Sequence, residues 1–224
     1  LSKLERDLFA NFEKLLDGKG YHYLSVPSTI SHKTLERQGV ADLSMAYDLG
    51  DGTCLSGSAE QGILEYFADS SFAKEAPEPL KIYAYNQCWR KEGGKFEPLV
   101  RCKEFKKLEQ FAFSDNAYTA GVVVFNEFLE NAVNFLKKWG IKWRVVDVTE
   151  RDPGYHLNKI DIEVETKRWG WVESHSCTYF GDEQTARFGI KGKPYTVSNT
   201  GIASPRILLP FIEDLMEMEP ELWQ

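Results

Sequence analysis

The chain has 224 residues, 42% of them hydrophobic and 13% aromatic, with a formal net charge of -7. That is material for one sizeable core, a large single domain or two small ones, and no apolar run approaches the roughly 18 residues of a membrane-spanning helix. The acidic balance argues against broad non-specific nucleic-acid binding, which Lys and Arg drive by neutralising phosphates.

The amino terminus opens on Leu1 and lacks a signal-peptide pattern. The expectation is a cytoplasmic, soluble protein with no membrane partner. Cysteines 54, 88, 102 and 177 form no Cys-x-x-Cys pair, and histidines 22, 32, 156 and 175 are scattered, so neither a disulfide framework nor a structural zinc is expected.

Taken in chain order, Leu4, Leu8, Phe9, Phe12, Leu15 and Leu16 recur at helical spacing until Gly18 and Gly20 stop the helix. Tyr21 to Val26 reads as a strand running into Pro27. The Gly-rich passage from Gly39 to Gly57 predicts short strands and turns, and a helix follows from Ser58 to Ala73. Two strands come next, Ile82 to Glu92 and Leu99 to Phe111, joined by a Gly- and Pro-containing hairpin connection at Gly93 to Pro98. A long amphipathic helix spans Ala117 to Trp139, with Val122, Phe125, Leu129, Val133 and Leu136 on one side. Strands are predicted at Trp143 to Val148, Lys159 to Thr166, Trp171 to Tyr179 and Tyr195 to Ser198, then a helix opening at Ser204-Pro205. Strands joined by hairpins between well-separated helices predict an α+β fold, an antiparallel sheet flanked by helices, in a single domain over residues 1–224.

The segment from Cys88 to Phe111 places seven cations in an acidic protein. Read as a strand, Leu99 to Phe111 aligns Arg101, Lys103, Phe105, Lys107 and Glu109 on one face and turns Val100, Cys102 and Leu108 away. The hairpin folds Arg90 and Glu92 back towards Arg101. Cations grouped around one ring repel unless an anion relieves them, and a planar polyanion such as a nucleoside triphosphate fits. A solvated edge strand explains the lysines, but not the interposed Phe105. Arg206 is similar: a cation in the first turn opposes the helix dipole by roughly 0.3–1 kcal/mol, so it either meets an anion or bends into water.

These segments match a known family. Trp89-Arg90-Lys91-Glu92 with Arg101-Cys102-Lys103-Glu104-Phe105-Lys106-Lys107-Leu108-Glu109 resembles motif 2 of class II aminoacyl-tRNA synthetases, the seryl type in particular. Ser198-Asn199-Thr200 through Ser204-Pro205-Arg206 resembles motif 3. The amino-terminal helix with Gly20-Tyr21 and Pro27 resembles motif 1, and Glu173-Ser174-His175-Ser176-Cys177 through Arg187 is similar to the segment preceding motif 3.

The resemblance implies a catalytic domain that uses ATP to convert a small amino acid, serine by preference, to an aminoacyl adenylate for transfer to tRNA. Arg90 would bridge the α-phosphate and the substrate carboxylate, and Phe105 and Arg206 would sandwich the adenine, making Arg90 and Arg206 the catalytic pair. Glu92 and Arg101 would complete the ATP contacts, and Glu173 and Ser176 would hold Mg2+. Ser58, Glu60, Glu109, Ser198 and Thr200 would face the amino acid, with Arg90 on its carboxylate. Two of these have local alternatives, Ser58 as a helix cap in the capping box Ser58-x-x-Gln61 and Glu109 as half of an exposed pair with Lys107. Glu173 and Ser176 fall on opposite faces of a regular strand, so either a bulge reconciles them or the segment is not a strand there.

The pattern also departs from the family. Between Glu92 and Arg101 the motif 2 loop is shorter, position 1 already lies at motif 1, so no tRNA-gripping arm is expected, and Ser58 and Ser198 stand where the family has Thr and Asn. A zinc-based amino-acid pocket is not expected. A paralogue that passes the activated amino acid to a carrier protein or small molecule, and a non-catalytic binding module, are the alternatives. A homodimer is implied by motif 1.

Overall fold

A computed structural model describes residues 1–39, 45–91, 99–152 and 154–218. In chain order the elements are α1 (Ser2–Gly18), β1 (His22–Tyr23), β2 (Thr29–Ser31), α2 (His32–Arg37), β3 (Thr53–Leu55), α3 (Ala59–Phe67), β4 (Leu80–Trp89) and β5 (Glu104–Ser114). After a π-helical turn at Thr119–Val124 come α4 (Phe125–Lys138), β6 (Trp143–Asp147), β7 (Asn158–Thr166), β8 (Gly170–Gly181), α5 (Glu183–Phe188) and β9 (Tyr195–Ser204). A 3-10 turn, Arg206–Leu208, leads into α6 (Leu209–Met218).

Seven strands form one sheet in the order β1-β4-β5-β9-β8-β7-β6. All neighbours are antiparallel except β1, which pairs parallel with β4. The predicted antiparallel sheet is therefore mixed by one short edge strand. The connection from β1 to β4 carries β2, α2, β3 and α3, and a connection of that length is what a parallel neighbour requires.

The sheet has two differently used faces. On one, α1, α4 and α6 bury Phe12, Phe128, Leu136 and Ile212 against Leu108, Ile162 and Ile202. On the other, α3 and α5 cover one end only, where Ile63, Leu64 and Phe188 pack on Ile82, Phe111 and Phe113. The uncovered end of that second face is a cleft.

Several predicted boundaries move. The helix expected to reach Ala73 ends at Phe67, because Asp69 takes a left-handed φ of 59° and a helix does not continue through that region. The strand expected from Leu99 begins at Glu104, and the one expected to stop at Ser198 runs on to Ser204. The long amphipathic helix divides into the π-helical turn and α4. α2, α5 and β2 are too short to impose a period on the sequence. The predicted hairpin connection at Gly93 to Pro98 lies outside the described residues.

Two bulges interrupt the ladder beside the cleft. Leu108 faces Ile202 while Glu109 faces Thr200, so Gly201 is extra in β9. Ile162 faces His175 while Glu163 faces Glu173, so Ser174 is extra in β8. Gly201 has a steric reason for its identity: a Cβ there would lie 2.6 Å from the ring of Phe12, which is fully buried. Gly201→Ala is expected to destabilise the fold by roughly 1–3 kcal/mol, the range of overpacking in a filled core. A urea-denaturation midpoint equal to that of the parent protein would show that α1 moves aside without cost.

Candidate active site

The cleft has a volume of about 220 Å³ and is floored by β5, β9 and β8. β5 contributes Phe105, Lys107 and Glu109 at alternate positions, as a strand must. Lys107 Nζ lies 2.7 Å from Glu109 Oε2, and both side chains are nearly buried, 11% and 2% exposed. The pair is thus not the exposed, weak one considered from the sequence. Burial raises the Glu109 carboxyl above its ordinary range, Lys107 opposes that shift, and Glu60 adds to it.

Ser58 joins both alternatives open in the sequence. It is the N-cap of α3, accepting from the Glu60 N–H at 3.2 Å. Its hydroxyl also donates to Glu109 Oε2 and accepts from Lys107 Nζ, each at 3.3 Å. The capping box is altered: the Gln61 carbonyl accepts from Gly57 N–H at 2.8 Å. Glu60, one residue inside α3, reaches the cleft and accepts from Gln184 Nε2 at 2.9 Å.

The two candidate catalytic arginines come from opposite parts of the chain to the same cleft. Arg90 follows β4, donates from Nε to the Gly57 carbonyl at 3.1 Å, and sits 5.3 Å from the Phe105 ring centroid. Arg206 opens the 3-10 turn, so it is not in the first turn of an α-helix. Its side chain turns back, with Nε donating to the Val100 carbonyl at 2.8 Å and an Nη to the Glu173 carbonyl at 3.1 Å. Arg206 also forms a long ion pair with Glu173, 3.7 Å from Nη to a carboxylate oxygen, and among the described residues no carboxylate pairs with the Arg90 guanidinium. Two cations tethered by backbone carbonyls, one of them over an aromatic ring, suit a polyanion with a planar group.

The bulge at Ser174 settles the phase problem in β8. With one extra residue, Glu173, Ser176 and Thr178 all line the cleft, while His175 turns inward. His175 is fully desolvated, its pKa pushed down to about 4, and it is a neutral packing residue. Opposite Ser176 in β7 stands Asp161, hydrogen-bonded to Ser176. Its Oδ1 is buried and has no partner. An all-oxygen set of Glu173, Ser176 and the neighbouring Asp161 fits a hard cation. Among the described residues no group of three His, Cys, Asp or Glu side chains could hold a metal by itself. That combination suits Mg2+, which binds through one or two carboxylates together with substrate phosphates.

The remaining predicted residues are placed as follows. Ser198 and Thr200 are buried in β9 and line the cleft. Arg101 is exposed and outside the cleft lining, whereas Val100 and Cys102 face in, the reverse of the predicted alternation. The reason is that β5 starts at Glu104 and residues 99–103 are not strand. Glu92 lies outside the described residues. Asp161, Lys159, Thr178 and Gln184 were not singled out. For Asp161 the signal existed in the alternation of Asp161, Glu163 and Glu165 with Ile160, Ile162 and Val164. Gln184 had none, because its relation to Glu60 spans 124 positions.

A family model described as the tRNA synthetase class II core domain (G, H, P, S and T) matches residues 44–214. The chain belongs to this family. A Serine--tRNA ligase of Deinococcus radiodurans is 32% identical over 222 residues, which cover 89% of this chain and 51% of that protein. One from Staphylothermus marinus is 28% identical over 234 residues, 96% of this chain and 50% of that protein. The chain spans about half the length of the curated relatives it matches. Among solved structures, the cytoplasmic Serine-tRNA ligase from Naegleria fowleri in complex with AMP superposes with a TM-score of 0.81 at 25% identity, covering 92% of this chain and 47% of that one. The seryl-tRNA synthetase from Pyrococcus horikoshii complexed with ATP shares the fold, with a TM-score of 0.80 at 24% identity over 92% and 50% of the two chains.

In this class II core the Lys107–Glu109 pair is open to test. Lys107→Met leaves a buried carboxylate without its cation, an expected loss of roughly 3–5 kcal/mol at neutral pH. Without Lys107 the folded-state pKa of Glu109 rises further. The unfolded chain then releases its proton first, so the deficit grows as pH climbs above the unfolded value of 4.5 and shrinks below it. Denaturation at about pH 4 and about pH 7 compares the two regimes. An identical deficit at both would contradict the pairing, and adding Glu109→Gln to the variant is expected to recover most of the loss.

Proposed function

We propose that this chain activates a small amino acid with ATP, serine by preference, to an aminoacyl adenylate, and passes the acyl group to tRNA in protein biosynthesis. The observation that carries this reading is the convergence of Arg90, Phe105, Glu173 and Arg206 with Glu60 and Glu109 on one cleft. Family membership and the AMP complex of the Naegleria relative support it.

In this reading the adenine stacks between Phe105 and Arg206, so Arg90 leaves the Phe105 ring, from whose centroid it lies 5.3 Å. Arg90 then spans the α-phosphate and the substrate carboxylate. A carboxylate oxygen attacks the α-phosphorus, the new P–O bond forms, and the bond to the β-phosphate oxygen breaks with its electron pair leaving on pyrophosphate. The nucleophile is already an anion, so no protein base is needed, which agrees with a cleft that no histidine lines among the described residues. Catalysis is alignment plus stabilisation of phosphoryl charge by Arg90 and Arg206. Glu173 and Ser176 would hold Mg2+, which when bound offsets charge on the phosphates. Arg101 and Glu92 are retained as outer nucleotide contacts.

For the amino acid, Glu60 takes the α-ammonium group, and Glu109, Ser58, Ser198 and Thr200 surround the side chain. A hydroxyl both donates and accepts, and the Glu109 carboxylate beside Lys107 offers both partners. The chain is read as one catalytic domain that pairs with a second copy through the motif 1 region, and as cytoplasmic. Among the described residues no helix is long and apolar enough to cross a membrane.

Amino-acid-dependent exchange of pyrophosphate into ATP is the expected activity, strongest with serine. Arg90→Ala and Arg206→Ala are each expected to lower kcat/KM by about 10²–10³-fold, the usual scale for one electrostatic stabiliser. No exchange with any standard amino acid would sink this reading in favour of a binding module. Charging of tRNA by the purified chain identifies the acceptor, and exchange without charging points to a carrier protein or small molecule. Sedimentation is expected to give a dimer, and a purely monomeric result would remove the second copy.

A further inference from the structure

Glu60 is held in an unusual way. On one side, the Gly57 N–H donates to Gln61 Oε1 at 2.8 Å, Gln61 Nε2 donates to Gln38 Oε1 at 2.9 Å, and Gln38 Nε2 donates to Glu60 Oε1 at 3.4 Å. On the other, Thr196 Oγ1 donates to Gln184 Oε1 at 2.7 Å, and Gln184 Nε2 donates to Glu60 Oε1 at 2.9 Å. The first chain begins on a backbone N–H, which can only donate, and ends on a carboxylate, which accepts. The direction of each amide along it follows. Gln184 is fully buried and also hydrogen-bonded to Tyr155, whose ring lies under the Arg187 guanidinium at 4.4 Å.

Both arms end on the same oxygen. Among the described residues no hydrogen bond falls on Glu60 Oε2, and Glu60 lines the cleft. A carboxylate clamped through one oxygen keeps a fixed side-chain rotamer and presents the other to a ligand. A free glutamate on the first turn of a helix would instead sample several rotamers, at a cost in side-chain entropy when one is selected.

We propose that Gln184 and the Gln61–Gln38 pair are positioning residues that clamp Glu60 through Oε1, so that Oε2 meets the α-ammonium group of the substrate amino acid. The proposal rests on the reading of Glu60 as the ammonium partner. The glutamines touch neither ATP nor the reacting atoms. Their loss therefore acts on amino-acid binding and leaves nucleotide binding and the chemical step alone.

The test uses two non-reactive probes, seryl-sulfamoyl adenosine and the same compound with hydrogen in place of its α-amino group, titrated calorimetrically into the full chain. The parent protein is expected to prefer the amino form. Gln184→Met, which keeps side-chain volume, and separately Gln38→Ala, at a partly exposed position, are each expected to weaken the amino form by about 10- to 30-fold, the scale of a lost charge-assisted hydrogen bond. The desamino form should change by less than about twofold. In exchange kinetics the same variants should raise KM for the amino acid with kcat and KM for ATP nearly unchanged. Variants that keep the parent's preference, or that lose both probes equally, overturn the clamp. A parent protein that binds neither probe, or does not distinguish them, overturns instead the assignment of Glu60. If Gln184→Met does not fold, Gln38→Ala alone decides the matter, since either arm acts on the same oxygen.

Discussion

A β-strand shows its side chains to alternate faces, and one extra residue reverses everything beyond it. The cleft depends on that constraint being broken twice, at Ser174 in β8 and Gly201 in β9. Without the first, Glu173 and Ser176 would look in opposite directions. Without the second, Thr200 and Ala203 could not both sit on the cleft side while Ile202 remains in the core. The bulges lie on adjoining strands, so the two irregularities open one site.

The polar content of the cleft is supported by the apolar packing on both sides of the sheet. α1, α4 and α6 fill the rear face and α3 with α5 fill half of the front, leaving only the other half for ligand. Lys107, Glu109 and Glu60 are tolerated there because each has a partner, whereas the neighbouring Asp161 keeps one buried oxygen unpartnered. Lys107 neutralises Glu109, Ser58 bridges the two, and the amides of Gln38 and Gln184 satisfy Glu60. A pair such as Lys107 and Glu109 adds little net stability over an apolar replacement. Its geometry is that of a fixed donor and acceptor on the wall of the cleft.

The arginines follow a different logic. Each is held by backbone carbonyls, with a long ion pair to Glu173 besides for Arg206, and these tethers set where the side chain lies. The tethers come from segments distant in sequence, Gly57 for Arg90, and Val100 and Glu173 for Arg206. For Arg206, a tether of this kind limits the reorganisation that an anionic ligand would require.

Local chemistry was readable from the sequence alone. Hydrophobic periodicity located the core of α1, α4 and the principal strands, because those segments are long enough to express a period. Motif spacing marked Arg90, Phe105, Glu173 and Arg206. The alternation of Phe105, Lys107 and Glu109 was legible for the same reason. What the tertiary structure alone decided was every relation carried across strands or between remote segments: the parallel β1, the identity of the bulge residues, the outward turn of Arg101, the burial of Lys107 with Glu109, and the amides around Glu60. These depend on register and on which backbone groups happen to lie beside a side chain. Short-range propensity contains no information about partners more than a hundred positions away, whereas a folded sheet brings them to hydrogen-bonding distance.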